Sequence, residues 1–494
     1  MSGGHGEETF LGELGEKVGK KTVGFNIFNL HEFVDWLGEW GVSRALILVI
    51  LFLGLLSILS LEIPNLPLFA FEWMVGTAPV WTPVVLVIGA FRIWVWYVQS
   101  LFLAGRKPVL LEMKVPRDIT KSPRAMEVAL TNLWLSSGEA SFLDRAWKGQ
   151  VRPFFAFEIA SFGGDVHFYI WCWGSMKEFV EQAIYGQYPE VELYEVEDYA
   201  SKFKYDPDKH WCFPTDWSKL PQGKFGKYGD GKFDRIDCYP LRTYIDYELD
   251  KDPKEEHKVD PLSTIIEFMS SIQPQEQAWI SLVIRRGGKY GILSTGDRDD
   301  DWRKATKDEV DKWRSRGAIV SQQALEAVQH ELQTSGAHEG SGRQPQPRPS
   351  WMQNQIMQSM ERNVSKLPFE FIGHGVYITT GQPRGPYFTS LRWIWKPYGN
   401  PTYMSYLRPQ RWGNPFDYPW QDFHGYRRNV LMPRRFFDVY RRRAGFHTPW
   451  VFPSSILTVE ELATLWHPPS ATVQAPGLER IPSTKSAAPA NLPK

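Results

Sequence analysis

The sequence predicts an α+β membrane chain: a two-helix transmembrane hairpin, then a folding unit with the element order β-α-β-β-α-β, with a partial second copy behind it. Three observations carry this. Two long apolar runs stand close together near the N-terminus. Strand and helix periodicities alternate from residue 109 onward. The 22 Trp and 36 Pro indicate a packed aromatic fold with many irregular connections. At 494 residues there is room for about two or three domains besides the hairpin. The expected division is 1–42, a mobile N-terminus and amphipathic helix; 43–104, the hairpin; and 105–200, the first folding unit. Then come 201–383, a second α+β domain with a disordered insert at 334–350; 384–454, rich in Arg and aromatics; and 455–494, a short helix with an extended Pro-rich tail.

In the hairpin, Ala45–Leu61 carries no charge and approaches the ~20 apolar residues that a spanning helix needs. Val80–Leu103 is interrupted only by Pro83, Gly89 and Arg92. The expected loop, Glu62 to Pro79, holds Glu62 and Glu72 and no Lys or Arg. Lys17, Lys20, Lys21 and Arg44 stand before the hairpin, and Arg106, Lys107, Lys114 and Arg117 after it. This asymmetry predicts two passes of the cell's inner, cytoplasmic membrane with both termini cytoplasmic. Trp73, Trp81, Trp94, Trp96 and Tyr97 suit an interfacial belt. Arg92 is costly in lipid and is expected to snorkel toward an interface. The first run starts too late for a cleaved signal peptide.

Before the hairpin, Asn29–Trp40 places Leu30, Phe33, Val34, Leu37 and Trp40 on one helical face, for the membrane surface or for the body of the protein. After it, Val109–Val115 reads as a strand, and Pro123–Leu135 as a helix with Ser122 as N-cap. Pro153–Ser161 and Val166–Trp173 form a hairpin through Gly163-Gly164-Asp165. Ser175–Gln187 is a helix and Val191–Tyr199 a closing strand. This β-α-β-β-α-β order is the ferredoxin-like plan, which hosts many functions and names none. In the partial second copy, Arg242–Asp250 is a strand, Pro261–Ser271 a helix capped by Asp260, and Ala278–Arg285 a strand, with Phe369–Thr379 returning. Asp299–Glu331 reads as a polar helix, Gly336–Ser350 as a linker, and Trp351–Ser365 as a helix.

Net charge is +0, from 56 basic and 56 acidic residues, so whole-chain charge indicates no partner. The distribution does. Between 384 and 450 stand Arg384, Arg392, Lys396, Arg408, Arg411, Arg427, Arg428, Arg434, Arg435, Arg441, Arg442 and Arg443, against Asp417, Asp422 and Asp438. Trp393, Trp395, Tyr398, Tyr403, Tyr406, Trp412, Tyr418, Trp420, Phe436, Phe437 and Tyr440 are interleaved. Arginine among aromatics suits phosphates and stacked bases, and equally suits anionic lipid. Arg427, Arg428, Arg434, Arg435, Arg441, Arg442, Arg443, Trp393 and Trp395 are therefore the candidate nucleic-acid or lipid contacts, with a structural role as the competing reading.

The tail, Ser455–Lys494, begins SILTVEELATLWHPPS and ends PANLPK. Thr458 and Glu461 form a capping box for a helix over Val459–Trp466. This stretch resembles the segment just before the motor domain of conjugative DNA-transfer, type IV secretion-like ATPases. FEIASFGGDVHFYIWCWGSMKEFVEQAIYGQYPEVEL (Phe157–Leu193) and DPLSTIIEFMSSIQPQEQAWISLVIR (Asp260–Arg285) resemble their membrane-proximal domain. In those proteins a P-loop ATPase follows. No GxxxxGK[ST] occurs here; Gly19-Lys20-Lys21-Thr22 departs from it. The resemblance thus implies the non-motor half of a split machine, oligomeric and paired with a separate P-loop ATPase chain. That chain would dock at the tail, with Glu461, Leu462, Leu465, Trp466 and His467 as the candidate contacts.

The function expected is a membrane-anchored scaffold of a secretion or conjugation machine, not an enzyme, with no cofactor or metal. A stand-alone membrane protein binding nucleic acid or anionic lipid is the alternative. A membrane-bound enzyme is weaker: among 11 His there is no HExxH, and GxSxG is absent. Cys172, Cys212 and Cys238 are widely spaced without CxxC, which suggests neither zinc nor disulfides.

Overall fold

The structure, a computed structural model, describes residues 49–50, 52–55, 57–58, 61, 65–117, 119, 121–135, 141–219, 236–251, 259–287, 298–315, 350–401, 405–411, 422, 425–447, 449–471, 473 and 475–482. The chain divides into two compact units, Met1–Leu86 with Asn414–His424, and Val87–Gly413 with Gly425–Lys494.

In the first unit the described positions between 49 and 61 are helical, and helix α1 (Leu66–Ala104) begins. The expected amphipathic helix at Asn29–Trp40 and positions 45–48, 51, 56, 59 and 60 of the expected first span, Ala45–Leu61, lie outside the described residues. Among the described residues only one helix, Phe71–Ala104, is long and apolar enough to cross a membrane. This corrects the expected hairpin. The connection expected over Glu62–Pro79 is helical from Leu66 onward, with Pro79 and Pro83 inside the helix. An apolar segment that satisfies its backbone internally gains by extending the helix, even across prolines, when lipid offers no other hydrogen-bond partner.

The second unit is built on one sheet. Its elements begin with β1 (Pro108–Pro116), α2 (Arg124–Asn132), α3 (Phe142–Ala146), β2 (Phe154–Phe162), β3 (Asp165–Trp173), α4 (Lys177–Tyr185), β4 (Glu192–Val196) and α5 (Tyr199–Lys202). They continue with β5 (Trp211–Ser218), α6 (Leu262–Ser270), β6 (Glu276–Arg286), α7 (298–315), α8 (Trp351–Val364), β7 (Pro368–Thr379), α9 (Gly385–Arg392) and β8 (Arg408–Arg411). Last come α10 (Met432–Arg442), β9 (Phe446–His447), β10 (Trp450–Val451), β11 (Ser455–Thr458), α11 (Val459–Leu465) and β12 (Arg480–Ile481).

Ten of these strands form one sheet. Its order runs β4-β1-β3-β2-β6-β7-β5-β8. β5 pairs with β7 over residues 373–379, and β11 takes the same edge over 368–371. All these pairings are antiparallel; only β12, beside the end of β1, runs parallel. The order β4-β1-β3-β2 is mirrored by β8-β5-β7-β6 across the β2–β6 seam. The expected fold of hairpin plus ferredoxin-like domain or domains is therefore corrected to one long helix and one large antiparallel sheet. The stretches 105–200, 201–383, 384–454 and 455–494 all contribute strands to it. The physical reason is that β2 and β6 are buried almost throughout. An edge strand apolar on both faces has to be covered, and each half covers the other.

Individual elements differ at informative places. Gly163 and Gly164 both have positive φ (64° and 103°), which the β2–β3 turn requires. Ser122 does not cap α2, which starts behind Pro123 without a side-chain cap. Asp260 does serve α6: its Oδ1 accepts from Leu262 N at 2.9 Å. The expected strand Arg242–Asp250 is a run of turns. The copy's first strand is instead β5, unread because Pro214 interrupts it. β8 pairs only with Thr215–Ser218, so the missing N–H of Pro214 leaves no bond unmade on that side.

Period-two alternation assigns the two faces. Phe155, Phe157 and Ile159 of β2 point to one core with Leu130, Ile184, Ile265, Leu462 and Trp466 from α2, α4, α6 and the α11 end. Phe154, Ala156 and Ala160 point to the other, with Phe436, Phe437 and Tyr440 of α10. The same alternation puts Glu158 under α10.

Candidate functional site

α10 separates its charges by helical periodicity. Phe436, Phe437, Val439 and Tyr440 are buried, while Arg434, Arg435 and Arg442 are exposed. Arg427 and Arg428, also exposed, sit in the π-turn Arg427–Leu431 that leads in. Pro433 has no N–H to offer the Asn429 carbonyl, and the Tyr205 hydroxyl donates to that oxygen instead, at 2.7 Å. Arg442 pairs with Asp438 at 2.9 Å on the surface. Arg441 is half-buried and donates to the carbonyls of Ala200 and Phe203.

Arg443 does the opposite. It ends α10 in the left-handed region (φ 45°), where glycine is the usual residue, and is 1 % exposed. Its Nε and Nη2 each donate to Glu158 at 2.9 Å, and Nη1 donates to Asp198 at 2.6 Å. Tyr199 Oη and Ser281 Oγ, both at 2.8 Å, complete the Glu158 carboxylate. Burial pushes the Asp198 carboxyl up, but the Arg443 guanidinium wins and holds it below the usual carboxylate range. Burial raises the Tyr199 and Tyr440 hydroxyls well above their ordinary values.

Glu158 is one member of a polar row that crosses the sheet under α10. Strand register places Glu112, Tyr169, Glu158, Ser281, His374, Asp216 and Gln410 side by side on β1, β3, β2, β6, β7, β5 and β8. Ser281, His374 and Asp216 have the residue types of a nucleophilic triad on neighbouring strands. Their bonds do not make one. His374 Nδ1 lies 2.7 Å from Asp216 Oδ1, and Nε2 lies 3.1 Å from the Ala444 carbonyl, so no ring nitrogen remains to take the Ser281 proton. Ser281 is committed to Glu158 and is buried. Burial opposes charge on His374, but two acceptors facing its two nitrogens favour the imidazolium, and its pKa is raised. His447, half-buried beside Arg285, is held well below the ordinary histidine value by desolvation and by that cation.

Sequence reading missed this row. Its signal was present: a polar residue inside each otherwise apolar strand, as Glu158 in FFAFEIASF and His374 in PFEFIGHGVYIT.

The other expected sites scatter. Trp393 is exposed, but Trp395 is buried edge-on to Trp217 at 5.8 Å, so the two do not form one surface. Tyr403, Trp412, Asp417, Tyr418 and Trp420 lie outside the described residues. The tail candidates Glu461, Leu462, Leu465, Trp466 and His467 are all buried. The capping box forms as read, with Glu461 Oε2 accepting from Thr458 N at 2.8 Å. Glu461 Oε1 accepts from Lys219 Nζ at 2.5 Å and from Leu241 N at 2.8 Å, wholly inside. Trp466 meets Phe157 at 4.8 Å, and His467 Nε2 lies 3.1 Å from Asp260 Oδ2.

Cys172, Cys212 and Cys238 form no disulfide, and burial pushes the Cys172 and Cys212 thiols up to about 12, where they are unreactive at neutral pH. Among the described residues no group of three or more His, Cys, Asp or Glu is placed to hold a metal ion. Comparison of the chain with known protein families, with curated proteins and with solved structures finds no match.

Proposed function

We propose that this chain is a membrane-anchored, non-motor platform of a type IV secretion- or conjugation-like translocation machine, working with a P-loop ATPase carried by a separate chain. The observation that carries the reading is the join between helix and sheet. Only Gly105–Lys107 separate α1 from β1, and Val95 and Val98 of the helix are buried. Arg106, Lys107, Lys114 and Arg117 follow the apolar helix directly, which favours a cytoplasmic sheet unit at the cell's inner membrane. The segments that resemble the conjugative ATPases, Phe157–Leu193 and Asp260–Arg285, supply β2, β3 and β6, three adjacent strands at the sheet centre. The ATPase contact falls on surface other than the five buried tail side chains. A homo-oligomeric arrangement belongs to the same proposal.

A second reading, a stand-alone protein that binds nucleic acid or anionic lipid, is favoured by one observation: Arg434, Arg435 and Arg442 on the outer face of α10. The test is purification of the tagged, detergent-solubilised chain from its own cells. The platform reading predicts a stoichiometric P-loop protein and ATP hydrolysis in the eluate. Nucleic acid or anionic lipid without either would overturn it in favour of the second reading.

A further inference from the structure

The run from Trp73 to Phe91 has no ionisable side chain and is bracketed by Glu72 and Arg92. At ~1.5 Å per residue it spans about 28 Å, close to the ~30 Å hydrocarbon core of a bilayer. The helix continues to Ala104, and there it packs on α3. Phe91 stacks on Phe142 at 6.3 Å. Trp94 lies 5.5 Å from Trp147 and donates Nε1 to the Ala146 carbonyl at 3.0 Å. Gly149 follows with φ 62°, and a Cβ there would stand 2.3 Å from the Val98 carbonyl oxygen, so only glycine permits this approach.

α3 is short, but it is held. Ser141 and Asp144 close a capping box, and Lys148 pairs with Asp144 at 2.8 Å. It turns apolar side chains outward: Phe142 is 41 % exposed, and Leu143 and Trp147 are each 62 % exposed. Ile93, Trp96 and Tyr97 of α1 are exposed on the turns that follow Arg92. Single exposed apolar residues are ordinary, but this cluster of aromatics and aliphatics surrounds the end of an uncharged span.

We propose that α3 is a membrane-interface foot, inserting Phe142, Leu143 and Trp147 into the headgroup layer of the leaflet on the Arg92 side. This rests on the reading of α1 as a membrane anchor. The occupant is lipid, because the cluster is continuous with the apolar helix and has the Trp-rich make-up of an interfacial belt. Arg92 then sits at phosphate level, not in the hydrocarbon.

The test uses the full chain in vesicles of phosphatidylcholine and phosphatidylglycerol, with a nitroxide at Leu143→Cys, at Val87→Cys in the span, or at Tyr194→Cys on β4. Collision with oxygen and with a water-soluble nickel chelate reports depth. The foot predicts that Leu143 lies between the other two positions, with several-fold less nickel collision than Tyr194. Leu143 as wet as Tyr194, with Val87 in lipid, would overturn the foot and leave the anchor standing. Val87 as wet as Tyr194 would overturn the anchor reading itself.

Discussion

Helices α10 and α11 lie on opposite faces of the same sheet and treat their charged residues differently. Every residue of α11 is buried, and Glu461 spends both oxygens on the chain's own Lys219, Leu241 and Thr458. α10 keeps Arg434, Arg435 and Arg442 in water and draws only the last residue of its arginine run, Arg443, inside. Both helices were expected from the sequence to be contact surfaces, one by its EELATLWH stretch and one by charge. The difference teaches that a motif's distinctiveness can come from packing: the EELATLWH helix is distinctive because both its acids and its Trp fill fixed places in a core.

The sharpest way to break this comparison is to remove a buried charge. Glu461→Ala strands Lys219 and opens the capping box, and Arg443→Ala strands Glu158 and Asp198. Each is expected to cost roughly 3–5 kcal/mol in chemical unfolding, the usual penalty for an uncompensated buried charge. Arg443→Lys keeps the charge but not the two-carboxylate fork, so it should fall between Arg443→Ala and the unaltered chain. A loss below about 0.5 kcal/mol at either alanine variant would place these residues in the class of ordinary surface charges.

Next in size is the pH dependence beneath α10. His447 is held neutral in the fold, so its folded pKa lies below the unfolded value near ~6.5. The unfolded chain binds the extra proton, and stability falls as pH drops below ~6.5. His374 has the reverse sign: its raised pKa gives stability that is complete below ~6.5 and is lost as pH rises through the folded value. One proton sets a slope of at most ~1.4 kcal/mol per pH unit. Unfolding free energy measured against pH should lose its acid-side decline in His447→Gln and its alkaline-side decline in His374→Gln. An unchanged profile in either variant contradicts the corresponding assignment.

The smallest expected effect on stability is on the outer face of α10. Replacing Arg434, Arg435 and Arg442 together by Ala should shift unfolding by no more than about 0.5 kcal/mol per site. The same change should weaken binding to an anionic polymer and flatten its salt dependence, by up to ~0.9 in log–log slope per arginine for duplex DNA. An unchanged slope, measured by fluorescence titration at several salt concentrations, would remove α10 from any anionic interface.

Several single elements of the fold were legible because they are local. The periodicity of Val109–Val115, the Gly163-Gly164 turn, the helix over Asp260–Ser271 and the Thr458–Glu461 box each follow from short-range chemistry. What was not legible is long-range. No local pattern says that β2 pairs with β6 more than a hundred residues later, or that Ser455–Thr458 joins β7. The arginines show the same limit. Arg441, Arg442 and Arg443 are adjacent in sequence, and only the turn out of α10 decides which of them meets Glu158 and which meets water. Pro214 hid β5, because it argues against a strand until the shortness of its neighbour β8 is known.

The proposed function requires a membrane-anchored sheet unit that faces the cytoplasm. Labelling with a membrane-impermeant maleimide tests it most directly, at Val87→Cys in the span and at Trp351→Cys, an exposed position at the start of α8. The account predicts that Trp351→Cys reacts only after the cells are permeabilised, and that Val87→Cys reacts only once detergent has removed the lipid. Labelling of Val87→Cys in intact or merely permeabilised cells, or of Trp351→Cys in intact cells, would contradict it.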